Sequence, residues 1–138
     1  MYAEIKSPQN TVSSNYISLS DGSFDNRLAI LFSVGTNFLR TFLRVGGVSQ
    51  FDITETSYDI TNYNKIAISY KENEFKMYVN GVQVGTTDTS GIVFPANTLS
   101  VLAFSEIGGA GGKFEGSCKD LRVYNKALTD SELQTLTS

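Results

Sequence analysis

Apolar and polar residues alternate with period two along most of this chain, and turn residues cut the alternation into short runs. Such alternation sends successive side chains to opposite faces of a strand. Residues 26–45, NRLAILFSVGTNFLRTFLRV, predict a hairpin folded about Gly35–Thr36, with Val34 opposite Asn37 and Ser33 opposite Phe38. Leu28, Ile30, Phe32 and Val34 then share a core face with Leu39, Thr41 and Leu43. The other face carries Arg27, Ala29, Leu31 and Ser33 beside Phe38, Arg40, Phe42 and Arg44. A slip of one residue would exchange the two faces, so the assignment rests on the turn.

Residues 64–81, NKIAISYKENEFKMYVNG, predict a second hairpin turning at Lys71–Glu74. Ile66, Ile68 and Tyr70 pair with Phe75, Met77 and Val79 as core, and Ala67 and Ser69 face outward against Lys76 and Tyr78. Asn80–Gly81 is a type I′ turn signal leading into VQVG. Further strands are predicted at TLSVLAF and at KFEGSCKDLRVY. Helical spacing occurs only at the end, where Thr129 and Glu132 form a capping box ahead of Leu133 and Leu136. Strands with one apolar face, closely spaced, predict an all-β fold: an antiparallel two-sheet sandwich with one short C-terminal helix.

Composition narrows the function. The 138 residues form one domain, 1–138, with no internal repeat and no linker. Charged residues are 18% of the chain against a usual share of about 25%, and Ser, Thr, Asn and Gly fill the difference, which suits an extracellular, cell-surface or virion protein. A net charge of −3 argues against a nucleic-acid partner, and no apolar run is long enough for membrane insertion. There is no His, so the usual general base and transition-metal ligand are missing. Cys118, the single cysteine, has no disulfide partner within the chain and is expected to be a buried core residue. Met1 runs at once into the strand-like YAEIK, which reads as a domain excised from a larger protein.

The second half of the chain resembles a known family. Phe114, Gly116, the strand Cys118 to Val123, the turn Tyr124–Asn125, Ala127–Leu128 and Glu132–Leu133 follow the tail of the laminin G-like branch of the concanavalin A-like lectin/glucanase superfamily. The likeness is good over roughly residues 60 to 136, and the first half follows by pattern. It implies a jelly-roll sandwich whose members mostly bind glycans or proteins without catalysis. The opening strand that usually lies beside the C-terminal one is not evident in the sequence.

Three motifs invite sharper readings. SQFDITET sets Gln50, Asp52 and Glu55 in the frame of the Glu-x-Asp-x-x-Glu motif of glucanases. Retaining hydrolysis needs two carboxyls about 5 Å apart, and Gln50 removes the nucleophile. Zero Trp also removes the usual sugar platform, so no enzyme is expected, with an inactive hydrolase remnant the distant alternative. GGAGGKF fails the phosphate-loop frame at Ile107 and Phe114 and is expected to be a loop joining two strands beside a binding face. Asp21, Asp25 and Asn26 could ligate calcium, which laminin G-like relatives bind near such loops, but the same residues simply make turns. No other cofactor is expected.

The favoured ligand face gathers Arg27, Arg40, Arg44, Phe38 and Phe42, with Lys76 and Tyr78 added if the two hairpins share a sheet. Arginine offers planar bidentate donors to carboxylate or sulfate, and aromatics offer stacking surface. Phe38 and Phe42 exposed together predict that something covers them. The expected function is a non-catalytic module binding carbohydrate, anionic glycan included, in a surface or bacteriophage adhesion protein. The alternative is a structural module for assembly, with homo-oligomer, neighbouring-domain or surface-protein contacts.

Overall fold

The computed structural model describes residues 1–8, 15–33 and 37–138. Its strands are β1 (Tyr2–Lys6), β2 (Asn15–Ser20), β3 (Arg27–Ser33), β4 (Phe38–Val45), β5 (Val48–Glu55), β6 (Asn64–Lys71), β7 (Glu74–Val79), β8 (Val82–Asp88), β9 (Val101–Ala103), β10 (Ser105–Ile107), β11 (Ala110–Lys113) and β12 (Ser117–Arg122), followed by α1 (Asp130–Thr137). One five-stranded sheet has the order β12-β1-β6-β7-β8, here sheet A, and the other the order β5-β4-β3-β2-β9, here sheet B. The β10–β11 pair forms a small separate sheet, and every pairing is antiparallel.

The inner faces of sheets A and B meet in one core. Ile5, Ile66, Ile68, Phe75, Met77 and Val79 of sheet A pack with Ile17, Leu28, Ile30, Phe32, Leu39 and Leu43 of sheet B. Each set occupies alternate positions along its strand, so period two alone decides which residues enter. Thr41, fully buried among them, donates its hydroxyl to Met77 Sδ at 3.3 Å and so links the sheets by a directed contact.

Both predicted hairpins keep their registers. Ser33 pairs with Phe38 and Leu28 with Leu43, while the Gly35–Thr36 turn and Val34 lie outside the described residues. Lys71 pairs with Glu74 and Ile68 with Met77. Asn80 at φ 49 and Gly81 at φ 84 make the left-handed turn predicted between β7 and β8.

The opening strand is present, contrary to the sequence reading. YAEIK forms β1, with Tyr2 beside Arg122 of β12 and Ala67 of β6, so β1 lies between the C-terminal strand and β6. The single strand predicted over 113–124 is also two, interrupted at Phe114–Gly116. The interruption brings the chain close to β1, and position 116 needs glycine: a Cβ there would lie 2.1 Å from the Lys6 carbonyl oxygen and 2.7 Å from Phe114 Cζ. Gly116→Ala should therefore cost about 1–3 kcal/mol, read as a lower urea midpoint at constant slope, because backbone must move to admit the methyl. Cys118 is half-buried rather than buried, and it is a free thiol whose Sγ donates to the Asp120 carbonyl at 3.4 Å.

Helix α1 seals the outer face of sheet A. Leu133 packs on Tyr2, Ala67 and Tyr78, with Tyr124, Leu128 and Leu136 around them. The predicted capping box is formed: Glu132 N donates to Thr129 Oγ1, and the Thr129 N donates to Glu132 Oε2 at 2.8 Å.

Candidate ligand-binding face

The two hairpins lie in different sheets, which divides the predicted ligand residues. Tyr78 and Lys76 sit on the outer face of sheet A, under α1. Tyr78 is buried and donates to Gln83 Oε1 at 3.2 Å, and Lys76 is held by Asp130 at 2.6 Å and Glu74 at 3.2 Å. Neither can join the arginines. The condition that would have united them, one sheet for both hairpins, is not met.

Arg27, Arg40, Arg44, Phe38 and Phe42 do come together, on the outer face of sheet B. Their registry follows from strand pairing: Arg44 stands beside Arg27, Phe42 beside Ala29, and Arg40 beside Leu31. The guanidinium carbons of Arg27, Arg40 and Arg44 lie 4.9, 5.3 and 5.8 Å from the centre of the Phe42 ring. Phe42 is only 3% exposed, so its cover is its own chain. Cation–π attraction and the alkyl stems of the arginines account for that packing. Ala29, Leu31 and Phe42 form a small second core here, with Tyr16 and Phe38 against it.

The three arginines differ in what else they meet. Arg27 is buried and pairs with Glu106 of β10 at 2.8 Å, stacking on Phe24 as well as Phe42. Its Nε is buried without a partner. Arg40 makes a two-pronged pair with Asp52 of β5, at 2.7 and 2.5 Å, and hydrogen bonding to that carboxylate raises the guanidinium above its ordinary pKa. Arg44 is half-buried and, among the described residues, has no carboxylate partner. Of the three, Arg44 alone lacks a counter-charge among the described residues.

The glycine-rich GGAGGKF forms the turn and second strand of the β10–β11 hairpin and borders this face. Glu106 reaches from it to Arg27, and Gly111 allows the approach, since a Cβ there would lie 2.6 Å from Glu106 Cβ. The hairpin packs against β2 and leaves β4 and β5 open, so the accessible surface holds Arg40, Arg44, Phe38, Asp52 and Thr54. Sequence reasoning missed Glu106 and the role of Asp52. Ser105-Glu106-Ile107 ahead of Gly108–Gly109 was an available hairpin signal.

The remaining motifs have structural roles. β5 is an edge strand, and the register shift opposite Leu43 and Arg44 makes Gln50 a bulge residue. Gln50 Oε1 accepts from Ile92 N at 3.0 Å. The backbone of Ser57, with that of Thr56, donates to Glu55 and holds its carboxyl below the usual range. Asp21 accepts from Ser23 N and Asn26 Nδ2, each at 2.8 Å, and Asn26 Oδ1 accepts from Gly46 N at 2.9 Å. With Asp25 these residues shape the β2–β3 turn, and among the described residues no cluster of three or more His, Cys, Asp and Glu is placed to hold a metal.

The family model of the concanavalin A-like lectin/glucanase superfamily, laminin G type, matches residues 1–134. The chain belongs to that family. A solved structure similar to this laminin G-like domain is that of an S-layer domain-containing protein (residues 221–444) from Clostridium thermocellum ATCC 27405, at 16% identity and TM-score 0.46. The alignment covers 94% of this chain and 65% of that one. No curated protein matches the domain. No helix of the domain, among the described residues, is long and apolar enough to cross a membrane.

Proposed function

We propose that this laminin G-like domain is a non-catalytic recognition module of a surface or adhesion protein, binding carbohydrate through the open half of the sheet B face. The observation that carries the reading is Arg44, a half-buried guanidinium stacked on Phe42 with no carboxylate partner among the described residues. Arg27 and Arg40 are already neutralised by Glu106 and Asp52. A uronate or sulfate group supplies the missing counter-charge, and Phe38, six residues along β4, offers an apolar edge to the far end of an extended oligosaccharide.

A glycan array containing neutral, uronate and sulfated oligosaccharides, followed by calorimetry on the hits, tests this. Arg44→Ala should weaken binding about 10- to 100-fold, the value of a charge-assisted hydrogen bond of about 1.5–3 kcal/mol. Added salt should weaken it too, because exposed charges are screened within about 8 Å at physiological ionic strength. Melting should change little, as Arg44 is outside the main core. Unchanged glycan binding in Arg44→Ala would overturn the assignment.

Catalysis is not expected at β5. A glycosidase acid needs a raised pKa, whereas Glu55 is held low by backbone donors, and Gln50 offers no nucleophile. Incubation with laminarin and lichenan should release no reducing ends. Turnover that vanishes in Glu55→Ala would refute this. A structural assembly module is the second reading, favoured by exposed Phe24, Leu102 and Phe104. A stable oligomer in size-exclusion chromatography together with an empty glycan array would select it.

A further inference from the structure

Arg27 and Arg44 stand directly opposite each other across β3 and β4, and like charges so paired repel. Both guanidinium groups lie over the Phe42 ring. Among the described residues one carboxylate, that of Glu106, serves the two of them, and it meets Arg27 through Nη1 alone at 2.8 Å. The pair is short of one negative charge.

The bonding of Arg27 shows where a further acid group fits. Arginine grips a carboxylate best with two parallel N–H donors, one to each oxygen. Arg40 does so, giving Nε and Nη2 to the two oxygens of Asp52. The same fork of Arg27 is unpartnered among the described residues, and its Nε is buried in a residue only 5% exposed. Ser18 Oγ is likewise buried without a partner. Register brings the two together. Ser18 and Phe42 flank Ala29 on β2 and β4, and Arg27, two residues before Ala29, lays its guanidinium over Phe42. Ser18 and Arg27 are thus diagonal neighbours on the outer face, a separation that a long side chain spans. A donor fork and a hydroxyl beside the small Ala29 suit one oxyanion group, carboxylate or sulfate.

The β10–β11 hairpin covers this seat. It packs against β2 but shares no strand pairing with either main sheet, so it can lift without breaking a ladder. Gly108, Gly109 and Gly111 hold its turn and second strand at φ 27, 99 and 75. Its fastening to Arg27 is the one Glu106 bond. We infer that Arg27 is a second oxyanion subsite of the ligand face, latched by the Glu106 carboxylate. A glycan with two acidic groups gives one to Arg44 and the other to the Nε–Nη2 fork of Arg27, displacing Glu106 and lifting the hairpin. A glycan with one acidic group meets Arg44 and leaves the latch shut. The inference rests on the anionic reading of this face for the chemistry of the ligand, and adds to it a second charge and a gate.

NMR of the domain carrying isotope-labelled arginine reports each Nε–H separately. The probes are inorganic sulfate at constant ionic strength and a chondroitin sulfate disaccharide, which carries one uronate and one sulfate. In Glu106→Gln, sulfate should move the Arg27 signal at a concentration about tenfold or more lower than in the unsubstituted domain, the factor for removing a latch shut more than about nine-tenths of the time. The disaccharide should bind Glu106→Gln more tightly by a similar factor. Gly111→Ala keeps the carboxylate, but its Cβ would lie 2.6 Å from Glu106 Cβ and Oε2, so it should unlatch Arg27 as well and serves if Glu106→Gln folds poorly. An Arg27 signal unmoved by sulfate in both variants would mean a seat for internal water only and would overturn the proposal. Equal disaccharide affinity in the parent and both variants would overturn it too. Arg27 should still respond to sulfate in Arg44→Ala with Glu106→Gln, which upholds the seat even where Arg44 binds nothing. Binding at Arg44 with no response at Arg27 in either unlatched variant sinks the seat and spares the Arg44 reading.

Discussion

Phe75→Ala should lower the stability of the domain by about 3–5 kcal/mol, the range for removing a buried aromatic from a packed core. Phe75 is 0% exposed and stacks on Phe51 with ring centres 5.9 Å apart and planes at 20°. The first ring comes from β7 of sheet A and the second from β5 of sheet B, so the stack joins the sheets near one edge of the sandwich. Phe75 also lies beside a register shift in the β7–β8 pairing, where the ladder holds the strand less regularly. Truncation therefore removes both the apolar contact and the packing that fixes this edge. Urea unfolding should show a lower midpoint with unchanged slope, and Phe75→Leu, which keeps more of the volume, should cost clearly less. A Phe75→Ala variant within 1 kcal/mol or so of the parent would mean the site collapses around the gap.

Glu106→Gln should cost about 3 kcal/mol, for a different reason. Glu106 supplies the counter-charge to Arg27, whose side chain is 6% exposed and whose Nε is already unpartnered. A guanidinium left buried without its carboxylate carries most of its desolvation cost uncompensated. The rings of Phe24 and Phe42 stay in place and soften the loss without cancelling it. Replacing both partners, Arg27→Met with Glu106→Leu, should restore most of the stability, since an apolar pair of similar size does not need the counter-charge. A double-mutant cycle by chemical unfolding separates these terms. If Glu106→Gln alone is neutral, the aromatic rings rather than the ion pair hold Arg27.

Much of the sandwich was legible because its rules are local. The pairs Leu28 with Leu43 and Ile68 with Met77 follow from a turn and a period of two. The capping box at Thr129 is likewise a matter of residues three apart. What the sequence concealed was partnership at long range. Nothing in LFSVGTNFLRTFLRV says that its sheet differs from that of NKIAISYKENEFKMYV, so Tyr78 and Lys76 were grouped with arginines on the opposite side of the molecule. The pairing of Arg27 with Glu106 spans 79 residues and depends on a glycine-rich hairpin that no periodicity marks. YAEIK reads as a strand, but its place beside the C-terminal strand was hidden, because it exists only once β6 and β12 supply both neighbours.

Helix α1, lying across sheet A, gives the domain a front and a back. Tyr2, Ala67 and Tyr78 turn their outward surface onto Leu133, so over this part of sheet A a partner meets the helix rather than the strands. A ligand engaging Arg44 can approach from one half-space alone. If the domain is fixed on a surface, its orientation there sets whether recognition occurs at all, and turning it over would silence it without altering a single contact in its core.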